Sequence, residues 1–259
     1  MTNILTSVAL SALSLTFQPD IRSAYIARGR VAEDRPIQAN MLRLSYSLDD
    51  YGYVGLWHWN CNSLTTRYRE KRDRQLAEVD YGIFYGYDWK VADKWTLKNE
   101  VMLRWFTFPF FHSPYNGVSD HSNFEYYFTQ TLQNPYVIPT WHLRKCTRSA
   151  DYLHICVGLK KPIPVDFIDG LKITPAVYVD FGDDNQRARY GKHPEGKRWG
   201  NGVMSAMAEL RADYPISDWC SVFATLQQFR IMDEDGRDAT HSPCRRDLTV
   251  FSTGLKMTF

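Results

Sequence analysis

The last twelve residues, Leu248 to Phe259, constrain this chain more than any other stretch. Thr249, Phe251, Thr253, Leu255, Met257 and Phe259 fall on one face of a strand, and Val250, Ser252, Gly254, Lys256 and Thr258 on the other. One face is largely apolar and closes on an aromatic ring; the other is mostly small and polar. A strand in a soluble domain seldom ends with such a face turned outward. The same two-residue period recurs between turn signals along the chain, and no 3.6-residue pattern of comparable strength competes with it.

About twelve strands emerge. They cover roughly Leu13 to Arg28, Ala39 to Leu48, Tyr53 to Asn60, Ala77 to Trp89, Thr96 to Phe108 and Phe124 to Leu132. Ile138 to Cys146, Tyr152 to Val165, Leu171 to Phe181, Val203 to Ile216, Cys220 to Met232 and Leu248 to Phe259 complete the set. The fourth is the clearest, with Ala77, Val79, Tyr81, Ile83, Tyr85, Tyr87 and Trp89 opposite Glu78, Asp80, Gly82, Phe84, Gly86 and Asp88. Facing in Cys220 to Met232 is left open. Short links at 49–52, 92–95, 134–136, 166–170 and 217–218 alternate with longer polar ones at 29–37, 63–75, 111–123, 183–201 and 233–247, and parity puts the link near 147–151 with the long set.

This alternation is the pattern of an antiparallel up-and-down β-barrel in a bacterial outer membrane, with tight periplasmic turns and longer extracellular loops. Composition fits. A mean hydropathy of -0.41 and 23% charged residues exclude a helical membrane protein, but suit a barrel in which only alternate strand residues meet lipid. Aromatic residues at 15% suit two interfacial girdles, to which Tyr81, Tyr85, Tyr87, Trp89, Trp105 and Trp57 are assigned. A net charge of +2 without a basic stripe excludes a nucleic-acid partner. No linker or composition shift divides residues 1–259, so one domain is expected. Ile4 to Leu15 resembles the apolar core of a signal peptide but lacks a basic segment before it, and is read as leading into the first strand.

The closing strand resembles the C-terminal signal of bacterial outer-membrane proteins. A wider resemblance is carried by Ser23-Ala24-Tyr25-Ile26-Ala27-Arg28-Gly29, Pro36-Ile37-Gln38-Ala39-Asn40, Tyr51-Gly52-Tyr53-Val54-Gly55-Leu56-Trp57, Glu78-Val79-Asp80-Tyr81, Ile138-Pro139-Thr140-Trp141 and Lys161-Pro162-Ile163-Pro164. With these motifs the chain resembles the TorF-type porin family of outer-membrane barrels. Ala27, where the family usually has a larger residue, and the cysteines depart from it. The resemblance implies a twelve-stranded barrel and passive transport, and carries no substrate with it.

The alternation turns Arg22, Arg28, Arg43, Glu78, Asp80, Lys98 and Glu100 toward the lumen. Arg104, Arg144, Lys172, Asp180, Glu209 and Arg211 join them. These residues are expected to form a charge-balanced lining for a small polar solute, or else a salt-bridged interior. For Arg28 two positions are open: guarding the extracellular entrance, or anchoring the first loop to an inward carboxylate such as Glu78 or Asp80, which is favoured.

His142 and His154 point inward on neighbouring strands, and Ser205, Ser221 and Asp180 are also available. No motif sets a nucleophile beside a base, so catalysis is not expected, and neither metal nor cofactor is implied. Cys61, Cys146, Cys156, Cys220 and Cys244 lack metal-ligand spacing. They are read as unpaired thiols, with a Cys61–Cys244 pair the alternative. Basic runs at 63–75 and 187–198 are read as solvated loop charge, with lipopolysaccharide phosphates as possible contacts. Expected partners are outer-membrane lipid and lipopolysaccharide, the barrel-assembly machinery through the Phe259 strand, and a small polar solute. The reading is a porin-like channel; a scaffolding barrel with an occluded lumen and a barrel hydrolase are its rivals.

Overall fold

The computed structural model describes residues 12–65, 77–107, 122–147, 151–240 and 245–259. Its strands in chain order are β1 (Leu13–Arg22), β2 (Tyr25–Ala27), β3 (Arg30–Glu33), β4 (Ile37–Ser47), β5 (Tyr53–Ser63), β6 (Ala77–Ala92), β7 (Trp95–Thr107) and β8 (Ser122–Gln133). Then come β9 (Ile138–Thr147), β10 (Leu153–Lys160), β11 (Ile163–Pro164), β12 (Lys172–Gly182), β13 (Gly202–Ser217), β14 (Cys220–Ile231) and β15 (Asp247–Thr258). Short helices α1 (Asp184–Arg187) and α2 (Glu234–Ala239) lie in two of the longer loops.

Each long strand pairs antiparallel with its neighbours, and β1 pairs with β15 (Phe17 with Met257, Asp20 with Gly254). Twelve strands therefore close on themselves. The short β11 adds to β12 beyond a break at Lys161-Pro162 (Ile163 with Ile173), and β2 and β3 form a separate two-stranded sheet. Closure leaves no unpaired edge, which is what a sheet in lipid requires.

Burial runs opposite to that of a soluble sandwich. Leu56, Ile83, Trp105, Leu226 and Phe251 are 50–56% exposed, while Glu78, Asp80 and Glu125 are at most 2% exposed. Apolar side chains thus form the outer surface and charges the interior, which is stable only with hydrocarbon outside. At the end bearing the short turns, Tyr51, Trp89, Tyr136, Phe167, Trp219 and Phe259 stand exposed as a girdle, with Trp219 stacked on Phe259 at 5.6 Å.

Three expectations are corrected. The first strand ends at Arg22, not Arg28, because Ser23 and Ala24 bend the chain into the lumen, where residues 25–33 form the β2–β3 hairpin in place of a polar surface loop. The eighth expected strand, Tyr152 to Val165, is interrupted at Lys161-Pro162, where proline removes a ladder donor. Trp57 is not a girdle residue: it faces inward between Leu56, which is exposed, and His58, whose ring stacks on outward Tyr81. Its strand carries aromatic or apolar groups on both faces, so alternation could not decide the side. Facing in β14 is now settled, with Phe223, Thr225, Phe229 and Ile231 buried and Leu226 outside.

Cys61, Cys146, Cys156 and Cys220 are free thiols. Cys244, residues 1–11, the Phe108 end of the fifth strand and nearly all of the first basic run lie outside the described residues.

Ile83→Arg would put a charge on the lipid face and should cost about 2–4 kcal/mol of folding stability near the midplane. Ser45→Arg, on the inner face, should leave stability within ~0.5 kcal/mol. Urea titration in lipid vesicles reads both, and equal losses would overturn the assigned facing.

Candidate functional site

The first long connection folds inward rather than outward. Ala27 pairs with Arg30, so Arg28 and Gly29 form a two-residue turn with φ of 53° and 74°. Positive φ at both positions is the geometry that twisted two-residue hairpins need. A side chain at Gly29 would also meet Asp180 Cβ at 3.1 Å and Ser205 Oγ at 3.3 Å, so the tip is pressed against β12 and β13. One flank of the hairpin packs Tyr25 on Trp59, Ile37 and Ala39; the other packs Val31 on Phe229 and Ile231. The hairpin therefore spans the lumen from one wall to another.

Its lock is electrostatic. Arg28 Nε donates to Glu125 Oε2 at 3.1 Å, and its Nη1 lies 3.8 Å from Glu78 Oε1. Glu125 also accepts from Arg104 and from the Tyr152 hydroxyl at 2.8 Å, and Arg104 Nη1 lies 3.7 Å from Asp80. Phe106 packs beneath the Arg28 guanidinium, 4.6 Å away. Burying charge in this way costs heavily unless it is paired, and each carboxylate here has an arginine within reach.

The loop between β12 and β13 clamps the hairpin tip. Asp183 caps α1 by accepting from the Gln186 amide at 2.8 Å, and its other oxygen accepts from Leu153 N at 2.7 Å. That places the fully buried Gln186, whose Nε2 donates to the Arg28 carbonyl at 2.7 Å. Tyr190 donates to the Gly29 carbonyl at 3.1 Å, and Arg187 pairs with Asp233 at 2.8 Å. Arg189 lies 5.0 Å over the Tyr152 ring, and burial together with nearby Arg30 lowers its pKa to about 10, where it still carries its charge at neutral pH. Part of the second basic run is thus folded inward and ion-paired, contrary to the expectation of solvated loop charge.

Beneath the hairpin is a cavity of about 400 Å³. Arg22, Arg28, Arg104, Arg144, Asp80, Asp180 and Glu209 line it, with Tyr25, Trp57, Trp59 and Tyr178 among the aromatic walls. The other expected lumen residues lie outside its lining: Glu78 behind the hairpin, and Arg43–Glu100 (2.5 Å) and Arg211–Asp213 (2.7 Å) as ion pairs. Lys98 and Lys172 are exposed near the periplasmic ends of β7 and β12, Lys98 pairing with Asp88 at 3.2 Å. Sequence reading did not foresee Gln186, Tyr190 or Tyr152, whose roles arise from contacts between distant loops.

His154 Nε2 and Asp180 Oδ1 are 2.8 Å apart, and Ser205 Oγ donates to Asp180 Oδ2 at 2.8 Å. The carboxylate is central, so the hydroxyl faces a weakly basic carboxylate and not the imidazole that activates a serine nucleophile. His142 Nδ1 meets the Tyr127 and Thr129 hydroxyls at 2.8 and 3.1 Å. Among the described residues no His/Cys/Asp/Glu group could hold a metal ion.

A closed antiparallel sheet with a charged interior and an apolar outer band defines the class: the chain is a bacterial outer-membrane β-barrel. Solved structures share that architecture. An outer-membrane channel from Pseudomonas putida F1 aligns at 10% identity and a TM-score of 0.56, over 95% of this chain and 94% of that one. The KdgM porin in complex with disordered oligogalacturonate aligns at 9% identity and 0.50, over 95% and 99%. The translocator domain of the autotransporter NalP from Neisseria meningitidis aligns at 10% identity and 0.50, over 100% and 96%. At such identities the likeness is one of fold. No family model matches the chain, and no curated protein does. The TorF-type resemblance therefore rests on its short motifs alone.

Glu125→Gln should leave buried Arg28 and Arg104 short of their shared carboxylate and lower stability by about 3–5 kcal/mol. Chemical unfolding checks this, and a loss under ~1 kcal/mol would mean that the network does not hold the hairpin.

Proposed function

We propose that the protein is a narrow porin-like channel through which small polar solutes diffuse passively, with the β2–β3 hairpin as its constriction. The observation that carries this reading is the polar cavity under the hairpin. An interior meant only to brace the barrel would be packed to the density of a protein core, whereas about 400 Å³ is left between charged and aromatic walls. Rings of charge at a narrow point set what passes in channels of this architecture. The lining carries four arginines and three carboxylates, which favours dipolar or uncharged polar solutes over simple ions of one sign.

A scaffolding barrel is the second reading, favoured by the clamp that the 183–201 loop places on the hairpin tip. Against a hydrolase stands the Ser205–Asp180–His154 order, which leaves the hydroxyl unactivated. The girdle residues and the terminal Phe259 strand suit contact with outer-membrane lipid and recognition by the barrel-assembly machinery. Exposed loop bases such as Arg198 suit lipopolysaccharide phosphates.

Planar-bilayer recording tests the channel. The wild-type protein should show small, discrete conductance steps in potassium chloride. Replacing residues 25–33 with a glycine-serine linker should raise the step size several-fold, with heat-modifiable migration on gels confirming that the barrel has folded. Silence from both folded proteins would favour the scaffold.

A further inference from the structure

Five of the seven charges lining the cavity are met by an ion pair or, for Asp180, by hydrogen bonds from neutral groups. Arg22 pairs with Asp20 at 2.7 Å, Arg28 and Arg104 share Glu125, Arg104 also approaches Asp80, and Asp180 faces His154. Two charges stand apart. Arg144 has no carboxylate within ion-pair distance among the described residues; its guanidinium lies 4.8 Å over the Tyr127 ring, and its Nε is buried without a hydrogen-bond partner. Glu209 has no cation within ion-pair distance among the described residues, and accepts only the Gln227 amide, at 2.6 Å. Lys160 shares its row of backbone pairs two strands away and does not close an ion pair with it.

The register brings these two charges to a similar height on different walls. One row of paired residues climbs from Ser14 near the start of β1 through Ser45, Gly55, Phe84, Met102, Tyr127, Arg144 and His154 to Gly182 at the end of β12. Strands in a closed barrel are tilted, so a row that rises this way places level residues progressively further down the later strands. Glu209 pairs with Ala176, six residues before Gly182, so it lies well below that row and back toward the level of Arg144, three strands round the wall. Arg144 and Glu209 both line the one cavity, with Tyr178 and Trp57 between its walls.

We propose that this cavity is a binding site for a small zwitterion of the amino-acid or dipeptide type, its carboxylate on Arg144 and its ammonium group on Glu209. A carboxylate matches a buried guanidinium that no carboxylate contacts directly among the described residues. An ammonium group gains from a lone carboxylate beside an aromatic ring. A solute with one charge would satisfy one pole and leave the other as it is. The inference rests on the channel reading for its physiological meaning but not for its test.

That test uses the folded, detergent-solubilised protein with glycylglycine as the zwitterion. N-acetylglycine serves as the anion-only probe and glycinamide as the cation-only probe. Titration followed by isothermal calorimetry should show glycylglycine binding at least tenfold more tightly than either. Arg144→Gln and Glu209→Gln should each remove that preference, and Lys98→Gln, outside the cavity, should keep it. Equal binding of the three probes, or a preference surviving both substitutions, would overturn the site. Conductance measured in parallel separates the two ideas: a silent barrel that still prefers the zwitterion refutes the channel and keeps the site.

Discussion

Everything in this structure depends on closing the sheet, β1 against β15, so that no backbone group faces hydrocarbon unpaired. An unsatisfied N–H or C=O in lipid costs several kcal/mol, and twelve strands would otherwise leave two full edges of them. Closure is completed at the chain end itself: Leu15 and Phe259 exchange backbone hydrogen bonds of 3.0 and 2.9 Å. With the backbone satisfied, side chains are free to divide by solvent, apolar to lipid and charged to the interior. The lining that defines the site is thus a consequence of closure.

A charged interior creates a second problem, which the hairpin and its clamp solve together. Glu78, Asp80 and Glu125 cluster on β6 and β8, where they would repel one another if left alone. Arg104 from the wall and Arg28 from the hairpin supply the compensating charge. The hairpin is held in the lumen by the same carboxylates that its arginine neutralises, so neither arrangement is stable without the other. This explains why an arginine occupies a left-handed turn position beside a glycine, a conformation that costs a non-glycine residue about 1 kcal/mol or more.

The barrel was legible in the sequence because its physics is local. Alternation in segments such as Ala77 to Trp89 and Leu248 to Phe259 reports the two solvents directly, and turn residues mark the ends. The inward facing of Arg43, Glu100, Arg104, Arg144, Asp180 and Glu209 follows from the same period. What stayed hidden depends on contacts across the barrel. Alternation carries through Ser23 and Ala24 without a break, so the bend that sends residues 25–33 inward leaves no periodic trace. Trp57 gives no sign of its facing, because an aromatic ring suits lipid and lumen wall alike. Gln186 and Tyr190 look like ordinary loop residues until the fold sets them against the Arg28 and Gly29 carbonyls. The near-balance of charge was legible; which two lining charges lack an ion pair among the described residues was not, since pairing depends on register across several strands.

The hairpin reads as a fixed part of the barrel interior more than as a lid. A lid is drawn from weakly held segments with few buried contacts. Here the two strands of the hairpin pack on separate parts of the wall, β4–β5 and β14, the carbonyls at its tip accept hydrogen bonds from the 183–201 loop, and its guanidinium is shared by β6 and β8 through Glu78 and Glu125. Its exit is secured as well, with Glu33 bound by Arg35 at 2.6 Å and by the Ser63 hydroxyl at 3.0 Å. Moving it would break these contacts together and expose unpaired charge in a confined space. Any discrimination by the proposed channel must come from the static shape and charge of the cavity beneath the hairpin, where Arg144 and Glu209 are the two lining charges without an ion pair among the described residues.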